Sequence, residues 1–500
     1  MNRVTGITIL FFVIAAFFVA CKKDTSPYGT ITEKPIAYAG LDQVITLPTD
    51  SISLDGSASH DRDGMITVWL WKKVSGPASF SMIDQDKSIV KVNNLVRGVY
   101  EFELKVGDND GQSAEDIVRV YVVDSTLPLP PISFSCPNSN SRNLVNAQLT
   151  PLHSLSIARD RMAIASAGNK ILFAGGEMNP SSTPSSRVDI YNIISNSWTT
   201  AELSQARAGM AVAVLGNKIF FAGGEISNYA FFSDEMDSYA YNLSSRVDIY
   251  DAVSNSWSIA ELSRSRGGLA SGVAGDKVLF AGGYDHITLT TAEIIFTDIV
   301  DIDEASSGLW STSSLSREKG RGVTATTVNN KVYFAGGTTR IAITNDYEGT
   351  AGIDIYDVNS NSWSTSSLGE AKGWHAAIAV NNKIYWAGGR TNTSSELYFK
   401  LSDIVEIQDI NTQTTSFDCL FQPNSHFDAV LKNNKIVFFT GRGEIKNKFD
   451  IYDITGNTWS IGVLPVNIYG ASIISVNNSI YVAGGYVNRI LSNVVWKLEF

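Results

Sequence analysis

Five basic residues recur at one spacing in the second part of the chain. Arg159, Arg207, Arg266 and Lys372 each lie sixteen residues before a pair of glycines, and Arg321 is displaced from that position by one residue. Several cations on one face would favour an acidic ligand. The alternative is structural, with each side chain bonded to neighbouring backbone carbonyls. Both interpretations stay open, and we take the five residues as ligand-binding candidates.

A second candidate site is the segment between Glu225 and Ser245, which is rich in aromatic and acidic residues. It contains Tyr229, Phe232 and Tyr239, together with three carboxylates. Aromatic faces beside carboxylates suit a carbohydrate or a protein partner, and variable loops on a rigid scaffold commonly carry binding. The alternative is a loop that folds on its own aromatic side chains.

Histidine residues offer no shared metal site. His375 falls thirteen residues before a glycine pair, and His426 falls fourteen residues before the corresponding position. Alternate residues of a strand face opposite ways, so the two side chains should not converge. His375 also replaces Met162 and Met210 of other repeats, which favours a core position. The sequence contains no nucleophile elbow or phosphate-binding loop, and we expect no metal and no other cofactor.

Four aspartates in the first part of the chain are weak candidates for calcium ligands. Asp61, Asp63, Asp108 and Asp110 stand in two glycine-containing turns. Carboxylate oxygens are the ligands that Ca²⁺ prefers. The alternative is that these side chains bond the backbone of their own turns, as aspartates in turns commonly do.

Length and composition set the broad class of the protein. The chain has 500 residues, 18% of them charged, and it contains 40 glycines. Low charge with abundant glycine and aromatic residues is typical of an all-β protein with many tight turns. The net charge of −11 argues against nucleic acid as a partner, because phosphates attract cationic surfaces.

One pattern recurs seven times from about residue 146. An apolar strand leads to a two-residue turn, and a second apolar strand ends in two glycines. These glycine pairs begin at Gly175, Gly223, Gly282, Gly336, Gly388 and Gly484, with a degenerate copy at Thr440-Gly441. Six residues before each pair stands Asn or Asp, preceded by Gly or Asn. These residues tolerate the positive φ of a hairpin turn, so the pattern predicts one repeated hairpin.

The second half of each unit predicts a further hairpin. Tyr191 is followed after seven residues by Trp198, and three other repeats keep this spacing. Repeats of about fifty residues with Gly-Gly and Tyr…Trp resemble kelch motifs, each of which forms one blade of a β-propeller. The resemblance covers 146–500 and implies seven blades. In that family such basic residues often lie near the mouth of the axial channel.

The seventh repeat is one strand short, because the chain ends at Phe500 soon after its third strand. The segment from Asn146 to Leu155 is free to supply the missing strand. We therefore predict that an N-terminal outer strand closes the ring, which removes exposed edges.

Residues 35–124 contain short strands separated by turn signals, which predicts a small β-sandwich. Motifs such as Leu54-Asp55-Gly56-Ser57, Asp61-Arg62-Asp63-Gly64 and Val106-Gly107-Asp108 resemble the polycystic-kidney-disease (PKD) type of immunoglobulin-like domain. Domains of this type usually act as spacers or adhesion modules on exported proteins. We expect Trp71 to be the buried core tryptophan.

The N-terminus resembles a bacterial lipoprotein signal over 1–20. An apolar run of about fourteen residues, too short to span a bilayer, stops at Ala20 before Cys21. The resemblance implies lipidation of Cys21, a linker over 21–34, and anchoring in the bacterial outer membrane by lipid alone, facing either the surface or the periplasm. The alternatives are a plain secretory signal or a membrane anchor.

Two cysteines remain once Cys21 is set aside. An oxidising compartment would allow a disulfide between Cys136, in the linker 125–145, and Cys419. We expect Cys136 to lie near the outer edge of the seventh blade.

Together these features favour a monomeric, non-catalytic binding or adhesion protein that recognises a glycan or protein on the loop face of the propeller. The alternative is a carbohydrate-active enzyme. Some kelch-type proteins are sialic-acid mutarotases, for which a basic channel mouth would be suitable, although no general acid–base pair is evident. Others are copper oxidases, which need two histidines, two tyrosines and a cysteine together, and this sequence does not match that set.

Overall fold

The computed structural model describes residues 34–40, 43–124, 136, 142–178, 183–233, 236–288, 293–340, 347–391 and 400–500. The predicted signal segment and Cys21 lie outside these residues, as does most of each linker. Within this part of the chain all regular structure is β-strand, and no helix is long and apolar enough to cross a membrane.

The first domain is a sandwich of seven strands, numbered β1 to β7. They are Gln43–Leu47, Ile52–Asp55, Ile66–Ser75, Ser81–Ile83, Ile89–Asn93, Gly98–Asp108 and Ser113–Asp124. Strands β3, β6, β7 and β1 form one sheet, and β2, β5 and β4 form the other. Alternate residues of these strands point inward, and Trp71, Tyr100 and Phe102 are fully buried between the sheets. The expected role of Trp71 as the core tryptophan is confirmed.

The second domain is a ring of seven blades. Blade 1 consists of Ala163–Ala167, Lys170–Ala174, Arg187–Asn192 and Ser197–Glu202. Blade 2 consists of Ala211–Leu215, Lys218–Ala222, Arg246–Asp251 and Ser256–Glu261. Blade 3 consists of Ala270–Ala274, Lys277–Ala281, Ile299–Glu304 and Leu309–Ser314. Blade 4 consists of Val323–Val328, Lys331–Gly336, Gly352–Asp357 and Ser362–Ser367. Blade 5 consists of Ala376–Val380, Lys383–Ala387, Ile404–Asp409 and Thr414–Cys419. Blade 6 consists of Ala429–Lys432, Lys435–Phe438, Lys448–Asp453 and Thr458–Val463, and blade 7 begins with Ser472–Val476, Ser479–Ala483 and Val494–Glu499.

Two short strands precede blade 1, and the second of them completes the ring. Strand β9, Gln148–Ser154, pairs antiparallel with Val494–Glu499 as the outer strand of blade 7. Strand β8, Asn143–Asn146, adds a fifth strand in parallel to blade 6, which the sequence did not indicate. The predicted all-β architecture, a sandwich followed by a seven-bladed propeller closed by an N-terminal outer strand, is confirmed.

The glycine pairs are required where adjacent blades meet. Gly223 has a φ of +63°, and a Cβ at this position would lie 2.6 Å from the carbonyl oxygen of Arg266 in the next blade. Gly224 donates its backbone N–H to that same carbonyl, at 2.9 Å. Gly485 of blade 7 makes the same bond to Arg159 of blade 1, at 3.0 Å, so the contact also seals the ring.

The repeated tyrosine and tryptophan stand opposite each other on the two outer strands of a blade. Tyr250 pairs with Trp257, and their ring centroids are 4.9 Å apart. The Tyr250 hydroxyl donates to Oδ1 of Asn255, which lies in the turn between the strands and has a φ of +57°. The spacing of seven is therefore the signature of a hairpin held at its end by an aromatic pair.

The sandwich is joined edge to edge with blade 5. Gln43 and Val44 of β1 pair with Ser416 and Thr415, so an eight-stranded sheet runs through both domains. The structure contains a Cys136–Cys419 disulfide at the end of the same blade. The expectation that Cys136 lies beside blade 7 is wrong. Cys136 is bonded to Cys419 of blade 5, and strand β8, which follows it in the chain, lies on blade 6.

Candidate ligand-binding mouth of the propeller

Four of the recurring basic residues are buried and do not line a surface. Arg207 has no exposed area and forms an ion pair with Asp248, on the third strand of its own blade. Its guanidinium also donates to the carbonyls of Gly223, at 2.8 Å, and Arg246, at 2.6 Å. Burial lowers the pKa of Arg207 to about 10, which still leaves it charged at neutral pH.

The same arrangement recurs around the ring. The equivalent buried pairs are Arg159 with Asp189, and Arg266 with Asp301. Lys372 is likewise fully buried, and its charge acts on the buried Glu406. The prediction that Arg159, Arg207, Arg266 and Lys372 bind a ligand is therefore corrected. Arg159, Arg207 and Arg266 bond backbone carbonyls, as the structural alternative proposed, and their ion pairs also tie the loop before the first strand of each blade to its third strand.

Blade 4 carries this cation at Lys319 and not at Arg321. Lys319 has no exposed area, and its Nζ lies 3.4 Å from Asp354. One extra residue between Lys319 and the glycine pair explains why the fixed spacing of sixteen missed it. The available sequence signal was the acid two residues before the repeated tyrosine, such as Asp189 before Tyr191, since it recurs in step with the buried cations.

Arg321 lies instead on the loop face, with its guanidinium 4.3 Å from the ring centroid of Tyr284. It is partly exposed and stays a ligand-binding candidate. The position two residues after the buried cation of most blades leads to this same face. There the backbone has a positive φ in all seven blades, at Arg161, Gly209, Gly268, Gly322, Trp374, His426 and Gly470. We call these seven residues the axial ring.

Hydrogen bonds link the axial ring from blade to blade. Gly209 donates its backbone N–H to the carbonyl of Arg161, at 3.2 Å. Trp374 donates to Gly322 at 2.9 Å, and His426 donates to Trp374 at 3.0 Å. Left-handed backbone costs a residue other than glycine roughly 1–2 kcal/mol. Four blades avoid this cost with glycine, whereas three carry large side chains.

One side of the mouth contains opposite charges that pair with each other. Arg161 lies 2.8 Å from Glu225 and also forms an ion pair with Glu177. Glu225 accepts a hydrogen bond from the hydroxyl of Tyr284, which in turn packs against Arg321. Burial is the largest influence and would raise the pKa of Glu225, but the charge and hydrogen bond of Arg161, the hydrogen bond of Tyr284 and the charge of Arg321 together lower that pKa. The opposite charges of this network therefore satisfy one another within the fold.

The other side of the mouth joins an aromatic stack to positive charge. The rings of Trp374 and His426 are nearly parallel, with centroids 5.2 Å apart. Arg390 lies 5.3 Å from the centroid of the Trp374 ring. Burial, followed by the charges of Arg442, Arg390 and Arg161, lowers the pKa of His426 to about 3. The imidazole is therefore neutral at physiological pH and surrounded by guanidinium groups. The sequence had offered Trp374, Arg390 and Arg442 no role.

The aromatic segment beginning at Glu225 is a β-hairpin, Glu225–Ser233 and Met236–Leu243, and not an irregular loop. The candidate side chains of Tyr229, Phe232 and Tyr239 lie outside the described part of the structure.

The histidine and aspartate candidates are dispersed. His375 is buried, with Nε2 2.7 Å from the hydroxyl of Thr324, whereas His426 is partly exposed in the axial ring. Asp108 Oδ1 accepts backbone N–H groups of its own turn, as the structural alternative proposed. Across the described residues, no three His, Cys, Asp or Glu side chains are grouped as a metal site would require, so Asp61, Asp63, Asp108 and Asp110 form no such group.

A concavity of about 570 Å³ lies between the sandwich and blades 5 and 6. Its lining includes Tyr38 and Asp55 from the sandwich, and Lys383 and Asp409 from blade 5. Burial raises the pKa of Tyr38 to about 12. Two carboxylates against one ammonium give this cleft no excess of positive charge, so the mouth is the stronger candidate for an acidic ligand.

Comparison with known proteins identifies the sandwich. Residues 39–122 match the family described as K319L-like, PKD domain. The mouse dyslexia-associated protein KIAA0319-like protein is 32% identical over 139 residues, which cover 27% of this chain and 13% of that protein. Mouse low-density lipoprotein receptor-related protein 11 is 37% identical over 109 residues, 22% of each chain. The chain therefore spans less than a quarter of the length of these relatives.

Among solved structures, one described as the structure of YjhT is 14% identical to this chain, with a TM-score of 0.45. The match covers 62% of this chain and 98% of that one. Residues 39–122 thus form a PKD domain, which precedes a seven-bladed β-propeller.

Proposed function

We propose that this protein is a cell-envelope binding or adhesion protein whose propeller mouth recognises a glycan or protein ligand. In this proposal the lipid on Cys21 anchors a monomeric chain to the outer membrane, facing the surface or the periplasm. The PKD domain presents the propeller, and nucleic acid is not a partner.

The observation that carries the proposal is the convergence of cations and aromatic rings at the axial ring. Arg161, Arg321 and Arg390 come from three different blades and each contacts a charged or aromatic neighbour at the mouth. A rigid closed scaffold that brings side chains of several blades to one surface is typical of a binding site.

The PKD domain supports the adhesion role in a more specific way than a flexible spacer would. Its β1 strand extends the sheet of blade 5, and the disulfide fixes the linker to that blade. The sandwich and the propeller are therefore held in one orientation relative to each other, which favours repeated presentation of the same face.

A glycan array tests the proposal, with the chain from residue 22 onward so that both domains and the linker are kept. Binding to a defined set of glycans supports the proposal, and isothermal titration of each hit gives its affinity. If neither glycans nor envelope proteins bind, the proposed function is wrong.

The alternative is a carbohydrate-active enzyme such as a sialic-acid mutarotase. The specific observation in its favour is the partly exposed imidazole of His426 at the mouth, which can hydrogen-bond to a sugar hydroxyl. NMR of a bound sugar separates the two functions. Faster exchange between anomers than in buffer would indicate the enzyme, and binding without conversion would indicate the binding protein.

A further inference from the structure

The axial ring uses large side chains at only three of its seven left-handed positions. Arg161, Trp374 and His426 stand where other blades have glycine, with φ of 52°, 55° and 54°. Backbone strain of this kind persists where the surrounding structure enforces it, and it clusters at functional sites. Two of the three, Trp374 and His426, belong to adjacent blades and stack on each other.

The neighbouring blade is shaped to receive this stack. Gly322 precedes Trp374 in the ring, and a Cβ on Gly322 would lie 2.7 Å from Cδ2 of the tryptophan. A glycine there is therefore needed for the indole to lie across the backbone of blade 4. His426 then covers the indole, and its own Nδ1 lies 3.0 Å from the hydroxyl of Ser425. The stack is held from both sides, while both rings stay partly exposed.

Positive charge from several arginines acts on the stack. Arg442 is exposed, and its backbone N–H donates to the carbonyl of Ser425, beside His426. After burial, the charge of Arg442 is the next cause that lowers the pKa of His426, Arg390 and Lys446. The charge of Arg442 thus disfavours the protonated form of three basic neighbours. This indicates a positive local potential, which would favour a bound anion.

We propose that Trp374, His426 and Arg442 form the specificity-determining subsite for a carboxylate-bearing sugar, with the carboxylate against Arg442 and the sugar ring against the stack. This inference rests on the proposed function and narrows its ligand to an acidic glycan. A glycan is favoured over an acidic peptide because the stack offers an aromatic surface and a neutral imidazole that can hydrogen-bond to a hydroxyl. Arginine matches the planar geometry of a carboxylate.

The test compares acidic oligosaccharides with neutral ones by isothermal titration on the chain from residue 22 onward. Trigalacturonic acid and sialyllactose are the acidic probes, and galactotriose and lactose are their neutral counterparts. We expect at least tenfold tighter binding of an acidic probe, and weaker binding as salt is raised. Equal affinity for acidic and neutral probes would overturn the carboxylate requirement, and binding of poly-glutamate alone would show a peptide site instead.

Substitution with the residue that other blades use keeps the test independent of folding. Trp374→Gly and His426→Gly remove a side chain and relieve left-handed strain, so we expect an unchanged or higher melting temperature with at least a tenfold loss of affinity. Arg442→Gln should reduce both affinity and salt dependence. Asn330→Gly, at a left-handed turn residue away from the ring, is the matched control and should bind normally. Unchanged affinity in both glycine variants would overturn the subsite but leave the proposed function standing. A wild-type chain that binds neither glycans nor envelope proteins would overturn both.

Discussion

Arg142 donates a hydrogen bond to Asp450 across 2.9 Å, although 308 positions separate them in the chain. The guanidinium also donates to the carbonyl of Cys419, at 2.6 Å, and lies 4.8 Å from the ring centroid of Trp459. In blades 1 to 5 the corresponding acid faces a buried cation from its own blade. Blade 6 has Asn424 at that position. The interdomain linker therefore supplies the cation that blade 6 lacks.

Removing this arginine should destabilise the protein in a pH-dependent way. Burial raises the pKa of Asp450 to about 7, against the lowering effect of Arg142. A folded pKa above the unfolded value means that this group favours folding at low pH, and the contribution is lost as pH rises through 7. Arg142→Ala raises that pKa further, so we expect a loss of about 3 kcal/mol at pH 8.5 and about 1 kcal/mol at pH 5, measured by urea unfolding.

An exposed ion pair gives the control for that experiment. Arg187 lies 3.1 Å from Glu202 on the surface of blade 1, with both side chains at least one-third exposed. Arg187→Ala should cost less than about 1 kcal/mol at either pH. Equal losses at pH 5 and pH 8.5 in Arg142→Ala would contradict the assigned role of Asp450.

The buried cations should act on stability and not on ligand affinity. Arg207→Met leaves Asp248 as a buried charge without its partner, and we expect a loss of about 3–5 kcal/mol in the free energy of unfolding. The double variant Arg207→Met with Asp248→Leu should recover most of it, because both charges are then removed. A single variant of normal stability that no longer binds ligand would instead return Arg207 to the binding site.

The disulfide should hold the linker against blade 5. Cys136 and Cys419 are 283 positions apart, and a cross-link over a long loop stabilises mainly by restricting the unfolded chain. We expect that replacing both cysteines with serine lowers the free energy of unfolding by about 2–5 kcal/mol. A reducing agent should lower the melting temperature of the wild type to that of the variant. No response of the wild type to reduction would argue against the bond.

A side chain should destabilise a blade more at the glycine pair than at the glycine of the hairpin turn. Gly223→Ala places a Cβ against the carbonyl of Arg266 at a φ of +63°, and we expect a loss above about 2 kcal/mol. Gly216 has a similar φ but nothing within 4 Å of its Cβ position. Gly216→Asn should cost less than about 1 kcal/mol, since Asn329 already occupies the same turn position in blade 4. Similar losses in thermal unfolding would show that blade contact is unimportant at Gly223.

Much of the fold could be predicted because its signals are local. The Asn-Asn turns at Asn329 and Asn381 have positive φ, as a two-residue hairpin demands, and this preference belongs to the residues themselves. The spacing of Tyr191 and Trp198 records one cross-strand pair. Counting strands then left blade 7 incomplete, and the unassigned segment before blade 1 was the available partner.

The candidate site could not be predicted in the same way, because spacing along the chain does not report burial. A basic residue before a glycine pair is compatible with a surface or with a core, and only its contact with an acid thirty residues away, as between Arg159 and Asp189, decides between them. Trp374 and His426 lie 52 positions apart and meet only because adjacent blades converge at the axis.

The sequence by itself determined the local elements, namely the hairpins, their register, the number of blades and the PKD type of the first domain, since each depends on backbone preferences or on neighbouring strands. Tertiary structure alone decided which cations are buried, which residues surround the mouth, and how the linker completes blade 6. Those outcomes depend on the ring closing, which brings distant segments together and sets the burial that controls their charge.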